Sequence, residues 1–323
     1  MRSPHTPAPT HLRLRRRWLV LGTGIAAACV SVAVVRTGMA GEPAQRQFAT
    51  AQQAADALVA AVRSNDQNET IRILGPEGEK LVHSGDKVAD QESRTRFVKA
   101  YDTAHRIDVE GGAAATLVVG SEHWSLPIPI VKQADRWHFD TTASVQKIID
   151  RRVGRNELSV IEVCRAYVAA QREYASQSRP GGAAHEYARR FHSEPGTHDG
   201  LYWEPAAGEA QSPLGPLIAS AQAEGYEGDQ PTLYHSPYHG YLYRILTRQG
   251  AHAPGGAKDY IVNGHMTAGF ALVAYPARWG DSGIMTFMVN QEGVVFEKNL
   301  GPQTQQAARA ITEFDPDSSW NAP

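Results

Sequence analysis

Residues 238–300 decide the fold of the second half of this chain. They read YHGYLYRIL over 238–246, GFALVAYP over 269–276 and IMTFMVNQEGVVFEK over 284–298. Aromatic and β-branched residues dominate, and Gly or Pro bounds each segment, as is typical of β-strands. The Gln-Glu-Gly run at 291–293 indicates a hairpin, because glycine tolerates the positive φ of a tight turn. The stretch predicts three or four strands of one antiparallel sheet.

The composition is that of a globular protein with no nucleic-acid partner. The chain has 323 residues, of which 42% are hydrophobic and 20% charged, enough for one large or two medium domains. A net charge of -2 gives no electrostatic basis for binding nucleic acid. The two cysteines, Cys29 and Cys164, provide neither a disulfide framework nor a metal cluster. Cys164 has apolar neighbours at helical spacing, so we expect it to be buried.

Residues 1–40 have the features of a signal peptide or a membrane anchor. A basic segment that ends in Arg15, Arg16 and Arg17 precedes the uncharged residues 18–35. Small residues before Gly41 suit cleavage by a signal peptidase. Residues 18–35 also reach the lower length limit for crossing a bilayer, so retention as an anchor is the alternative. Both readings place the globular part outside the cytoplasm, in the periplasm or anchored to the cytoplasmic membrane.

Residues 48–152 are predicted to form a first α+β domain. Helices are expected over 51–63, 69–74, 91–101 and 144–152, and strands over 105–110, 114–119, 126–131 and 136–140. Helices followed by a curved antiparallel sheet are similar to cystatin-like or nuclear-transport-factor-2-like cones, which often enclose a pocket. Trp124, Trp137 and Phe139 could line such a pocket, but core filling is the favoured interpretation.

Residues 155–318 are predicted to form a second domain, a long helix packed on the antiparallel sheet. Asn156 is the expected N-cap, and apolar residues at i, i+3 and i+4 continue to about Ser176. A short helix is expected over 215–224. The complete chain is therefore assigned to the α+β class.

Several strings of this sequence resemble one bacterial family. They are RNEL at 155–158, QREYA at 171–175, HDGLYW at 198–203, SPLGPL at 212–217, PYHGY at 237–241 and SGIMTF at 282–287. These strings are similar to the domain-of-unknown-function family 2950 (DUF2950) from about residue 45 to residue 320. The resemblance implies a secreted or membrane-anchored bacterial protein, without implying an activity.

Residues 156–300 also resemble, more faintly, the globular heads of type II pseudopilins. Those heads pack the end of a long helix on a four-stranded antiparallel sheet. A pilin keeps its apolar anchor continuous with that helix, whereas here a long insertion separates Val35 from Asn156. The resemblance therefore implies a pilin-like head that is reused, not a pilin subunit.

The chain offers few catalytic or metal-binding patterns. The histidines of the second domain are His185, His192, His198, His235, His239, His252 and His265. None has the helical His-x-x-x-His or His-Glu-x-x-His spacing of a zinc site, and Pro237 prevents a helix between His235 and His239. Their use as metal ligands is a minor alternative. We predict no catalytic residue, no cofactor and no metal.

Carboxylate pairs are a further alternative. Asp199 could pair with Glu204 or with Glu186 for glycoside chemistry, but any chain with many acids offers such pairs. His198 and Asp199 are adjacent, so their side chains are expected to point apart.

A cluster of aromatic residues suggests a binding surface for an envelope protein or a glycan. The predicted surface consists of Tyr202, Trp203, Tyr234, Tyr238, His239 and Tyr241. Core filling would explain many of these residues equally well.

The sequence thus predicts an exported envelope protein with a non-catalytic binding or structural role. The alternative is a periplasmic hydrolase or small-ligand-binding protein, with a pocket in residues 48–152 or near His198 and Asp199. A deep pocket with converging polar groups would favour this alternative, and a flat aromatic face would favour the binding module.

Overall fold

The structure, a computed structural model, describes residues 44–177, 183–226 and 236–322. It contains α-helices and antiparallel sheets, so the predicted α+β class is confirmed. The predicted signal peptide or anchor, residues 1–40, lies outside the described residues. In the described part of the chain, no helix combines the length and apolar character needed to cross a bilayer.

The first half of the described chain places helices before a sheet. The helices are α1 (Ala51–Arg63), α2 (Gln67–Leu74), α3 (Gly78–Val82) and α4 (Lys87–Thr103). The strands are β1 (His105–Glu110), β2 (Ala114–Val119), β3 (Trp124–Ser125), β4 (Ile130–Gln133) and β5 (Arg136–Phe139). α1 begins where the sequence predicts, because the Thr50 hydroxyl accepts a hydrogen bond from Gln53 N–H.

The first sheet has the strand order β1-β2-β4-β5, with β3 also paired to β2. β4 begins later than the predicted start at Leu126, because Pro127 and Pro129 have no N–H to donate to a neighbouring strand. Trp137 and Phe139 are buried in the core under α1, whereas Trp124 is exposed. The first two therefore fill the core, as the favoured interpretation expected.

One long helix, α5 (Val145–Ser176), connects the two halves. The sequence predicted two helices here, the first ending at Arg152 and the second capped by Asn156, and that prediction was wrong. Asn156 lies inside α5, where its Nδ2 donates to Ser282 O at 2.9 Å. Contacts of this kind outweigh the weak helix propensity of Gly and Asn. The predicted domain boundary at 152–155 falls within α5, and the division into two domains stays a prediction.

The second half contains two further helices and the main sheet. The helices are α6 (Gly215–Ala223) and α7 (Thr304–Ala310). The strands are β6 (Tyr241–Leu246), β7 (Arg248–Gln249), β8 (Lys258–Asp259), β9 (Ile261–Val262), β10 (His265–Met266), β11 (Ala271–Pro276), β12 (Met285–Asn290) and β13 (Val295–Asn299). The main sheet has the antiparallel order β13-β12-β11-β6, and β7-β8 and β9-β10 form two short hairpins.

The second core lies between α5 and the main sheet. Tyr167 of α5 is buried there and donates its hydroxyl to Ala271 O at 3.1 Å. Tyr241 crosses under the sheet, where its hydroxyl donates to Met285 O at 3.0 Å. A Cβ at residue 283 would overlap the Tyr241 ring, so only glycine fits there.

Asp86 joins the first half of the chain to the second. Its side chain is 2% exposed. Oδ1 accepts hydrogen bonds from Val88 N–H at 3.2 Å and Ala89 N–H at 3.1 Å, which caps α4. Oδ2 accepts from the Tyr226 hydroxyl at 2.8 Å and from Gly240 N–H at 2.9 Å. One buried carboxylate therefore satisfies donors from three separate parts of the chain.

We expect Asp86→Asn to lower the free energy of unfolding by about 2 to 4 kcal/mol, because an amide presents an NH2 group to at least one of these buried donors. Urea denaturation of the two proteins measures the change. The matched control is Asp66→Asn. Asp66 is exposed and caps α2 through Glu69 N–H, a role that asparagine also performs, so about 0.5 kcal/mol or less is expected. Equal unfolding midpoints for the two variants would contradict the role given to Asp86.

Candidate functional site

A cavity of about 780 Å³ opens beside the C-terminal end of α5. Its described walls come from α5, residues 183–199, Thr247 and the turn before β10. The charged and imidazole side chains that line it are Glu186, Arg189, Arg190, His198, Asp199 and His265. A volume of this size holds a drug-sized molecule. The cavity lies where the sequence-based alternative placed a pocket, near His198 and Asp199.

Gln171 of α5 fixes the segment that forms one wall. This side chain is fully buried, and its Oε1 accepts a hydrogen bond from Ala188 N–H at 2.8 Å. Its Nε2 donates to Ala188 O at 2.8 Å and lies 3.0 Å from the Tyr167 hydroxyl. Tyr187 N–H donates to Met266 O at 2.8 Å. The wall is therefore held between α5 and β10 by buried hydrogen bonds.

Glu186 and His265 form a carboxylate–imidazole pair at the cavity. Glu186 Oε2 lies 2.9 Å from His265 Nδ1 and accepts from Ala183 N–H at 3.0 Å. Among the described residues, none hydrogen-bonds His265 Nε2, so this nitrogen is available to a ligand. Asn263 and Gly264 adopt φ of 52° and 84° in the turn that presents His265.

The two neighbouring arginines differ in their partners. Arg190 pairs with Glu194 and lies 3.3 Å from the Asp199 carboxylate. Arg189 donates from Nη1 to Gly264 O at 3.3 Å. Within the described ranges, no carboxylate lies within ion-pair distance of Arg189. Among the described residues that line this cavity, Arg189 is thus the cation whose charge no carboxylate compensates.

Asp199 is held as a carboxylate by several donors. Its Oδ1 accepts from the Thr197 hydroxyl at 2.7 Å and from Glu194 N–H at 2.9 Å. Burial alone would raise the pKa of Asp199, but these hydrogen bonds and the charge of Arg190 outweigh burial and lower the pKa below its ordinary value. Asp199 is therefore ionised at neutral pH.

His198 does not act together with Asp199. Its ring stacks on the Trp203 indole, with ring centroids 4.3 Å apart, and its Nε2 lies 3.1 Å from the Glu209 carboxylate. Asp199 contacts Thr197 and Arg190 instead. The adjacent side chains make separate contacts and do not form a dyad.

The predicted aromatic surface is divided by the fold. Tyr238 is 4% exposed and Tyr241 is 0% exposed, so both belong to the second core. Tyr202, Trp203 and His239 are half-buried. The sixth residue, Tyr234, lies outside the described residues. Two members are thus core residues that cannot contact a partner, and a binding role for the others stays a prediction.

Glu186 and His265 could not be paired from the sequence, because 79 positions separate them. The Asn-Gly pair at 263–264 is a hairpin signal that could have located His265 at the end of a turn.

Cys164 is fully buried, as its apolar neighbours predicted, and burial raises the pKa of its thiol to about 12. No group of three or more potential metal ligands occurs among the described residues, and His235 lies outside them.

His239 lies beside the hydrogen bond that Gly240 N–H donates to Asp86. Its N–H donates to the Tyr226 hydroxyl at 3.3 Å, and its Nε2 lies 3.5 Å from the Glu224 carboxylate. Burial lowers the pKa of His239 from its ordinary 6.5, while the charges of Glu224 and Asp86 oppose this shift in part. Burial also lowers the pKa of His192.

We expect the free energy of unfolding to fall as the pH drops below about 6.5, because the unfolded chain then binds protons that the folded chain excludes. His239→Asn should weaken this dependence between about pH 5 and 6.5, and asparagine tolerates the φ of 50° at this position. Urea denaturation across this pH range measures the effect.

His252→Asn is the control, because it should change the pH dependence of the free energy of unfolding in the opposite direction. The hydrogen bond from His252 to Asp315 raises the pKa of this exposed histidine, so protonated His252 stabilises the folded chain below pH 6.5. Loss of this stabilisation should steepen the decline of the free energy of unfolding towards low pH. A slope unchanged by His239→Asn would contradict the assignment to His239.

The comparisons with known proteins identify a family. The family model described as protein of unknown function (DUF2950) matches residues 45–322. No curated protein and no solved structure matches the chain, so the resemblance to pseudopilin heads stays a prediction. The match covers most of the chain and agrees with the resemblance found in the sequence, and the protein therefore belongs to the DUF2950 family.

Proposed function

We propose that this DUF2950 protein is an exported envelope protein that binds a small polar ligand, without catalysis, in the cavity beside α5. The observation that carries the proposal is the cavity of about 780 Å³ with its converging charged side chains. The competing hypothesis, docking through an aromatic face, loses support because Tyr238 and Tyr241 are buried. The sequence suggested a hydrolase or a small-ligand-binding protein as the alternative, and we adopt small-ligand binding.

The polar groups of the cavity support binding because other residues already hold them in place. Glu186 is fixed by His265 and by Ala183 N–H, and Asp199 by Thr197 and by Glu194 N–H. A ligand that meets fixed groups loses less free energy to ordering side chains. Such preorganisation favours specific recognition of polar ligands.

Hydrolysis is the second candidate function, and the Glu186–His265 pair is the observation that favours it. A histidine oriented by a carboxylate can act as a general base towards a water molecule. The cavity hydroxyl of Thr197 is not activated in this way, because its partners are the Asp199 carboxylate and Glu194 O. Attack by a histidine-activated water is therefore the form of hydrolysis that these residues suit.

Thr247→Trp is expected to abolish ligand binding, because Thr247 lines the cavity and an indole would fill part of it. The measurement is the shift in Tm of the full-length chain against a panel of sugars, sugar acids, amino acids and dipeptides. At least one class should raise Tm in the wild type. The control, Val109→Trp, places the same side chain at an exposed position of β1 and should keep the shift.

Two outcomes of this assay would count against the proposal. A Tm shift retained in Thr247→Trp, or none with any class, would contradict ligand binding at this cavity. Conversion of a stabilising compound, followed by mass spectrometry and lost in His265→Gln, would favour the hydrolase.

The proposed location rests on residues 1–40 and is tested by intact mass. We expect the protein isolated from its host either to begin at Gly41 in the soluble envelope fraction or to be full-length in the membrane fraction. Full-length protein in the cytoplasmic fraction alone would contradict export.

A further inference from the structure

We propose that the ligand is a sugar acid, a polyhydroxylated ring with one carboxylate, and that Arg189 binds this carboxylate. The inference rests on the proposed ligand-binding function and adds the chemistry of the ligand. In the described part of the chain, Arg189 is the charged group of the cavity that pairs with no group of opposite charge.

The two carboxylates of the cavity are already engaged. Glu186 pairs with His265 at 2.9 Å, and Asp199 lies 3.3 Å from Arg190 and accepts two further hydrogen bonds. A ligand ammonium group would have to share one of these carboxylates with the imidazole or guanidinium that already pairs with it. The cavity is therefore less suited to ligands that carry an ammonium group, amino acids among them.

Arg189 is the group that attracts an anion. Its guanidinium is exposed at the cavity and donates a single hydrogen bond, to Gly264 O, as far as the described residues show. A guanidinium carries five N–H donors in a planar fork that fits a carboxylate with two parallel hydrogen bonds. The bond to Gly264 occupies one N–H of the fork, so a carboxylate can pair with the remaining donors.

A single negative charge suits this site better than several. Glu186 and Asp199 line the same cavity as Arg189, and each repels additional negative charge on a ligand. A phosphate ester would carry up to two negative charges opposite one uncompensated guanidinium. The balance of charges favours a monocarboxylate.

The rest of the cavity suits a ring with hydroxyl groups. Tyr187 lines the cavity, and its ring orientation is fixed by an edge contact with Phe270, with ring centroids 4.8 Å apart. An aromatic face can cover the apolar C–H face of a sugar ring. Glu186 can accept hydrogen bonds from hydroxyls, and His265 Nε2 can donate or accept one. The volume exceeds what a lone carboxylate would occupy.

The test is isothermal titration of the full-length chain in detergent with four probes, namely glucuronate, glucose, glutamate and glucose 6-phosphate. Glucuronate should bind at least about tenfold more tightly than the other three, since only it offers one carboxylate on a neutral polyhydroxylated ring. A disaccharide that ends in glucuronate separates two sources of this ligand. If this disaccharide binds as tightly as glucuronate, the ligand is the end of a glycan. If it binds more weakly, the ligand is a free sugar acid.

Arg189→Gln should weaken glucuronate binding about tenfold or more and leave any weak glucose binding unchanged. Arg189→Lys keeps the charge but not the planar fork, so its affinity for glucuronate should lie between those of the wild type and Arg189→Gln. The matched control is Arg96→Gln, because Arg96 is an exposed arginine on α4 that does not line the cavity. Thermal unfolding of each variant shows whether it is folded.

Three results would overturn the inference. Equal binding of glucose and glucuronate, unaffected by Arg189→Gln, would reject the anionic anchor but leave ligand binding at the cavity intact. Tighter binding of glutamate or glucose 6-phosphate would reject the sugar-acid class. Binding of none of the probes, while other compounds still give a Tm shift that Thr247→Trp abolishes, would reject the ligand class alone.

Discussion

The buried carboxylate of Asp86 is the constraint on which the connection of the two halves depends. Removing a carboxylate from water is costly unless hydrogen-bond donors replace the water. Here the donors are Val88 N–H, Ala89 N–H, the Tyr226 hydroxyl and Gly240 N–H. They belong to the start of α4, the segment after α6 and the entry to β6. Satisfying one charge therefore requires all three segments to be in place together.

Much of the fold could be predicted because its signals are local. Thr50 capped α1 as expected, and the segments rich in β-branched and aromatic residues became the four strands of the main sheet. The prediction failed at residues 152–156, where the first predicted helix ended and Asn156 was the expected N-cap of the second. Asn156 bonds to Ser282, and the Glu157 carboxylate accepts from Ile284 N–H and Met285 N–H, both at 2.9 Å. Partners so distant in sequence leave no local pattern.

The candidate site shows the same limit. His198 and Asp199 marked the right region, but they make separate contacts, and the pair that converges is Glu186 with His265. This pair exists because Gln171 holds Ala188 against α5 and because a left-handed turn presents His265. Neither condition is visible in the spacing of the sequence. Aromatic density alone could not distinguish a surface from a core, since Tyr241 is fully buried in the second core.

The unbroken length of α5 has a geometric consequence. Its 32 residues span about 48 Å at 1.5 Å per residue. Near its first turns, Arg152 donates to Lys80 O at 2.9 Å and to Leu81 O at 3.2 Å, and its last turn borders the cavity. The helix therefore runs without a break from the residues that contact α3 to the residues that border the cavity. One continuous element thus supplies both a contact with α3 and part of the cavity wall, so the spacing of these two features along the chain is fixed by the helical rise.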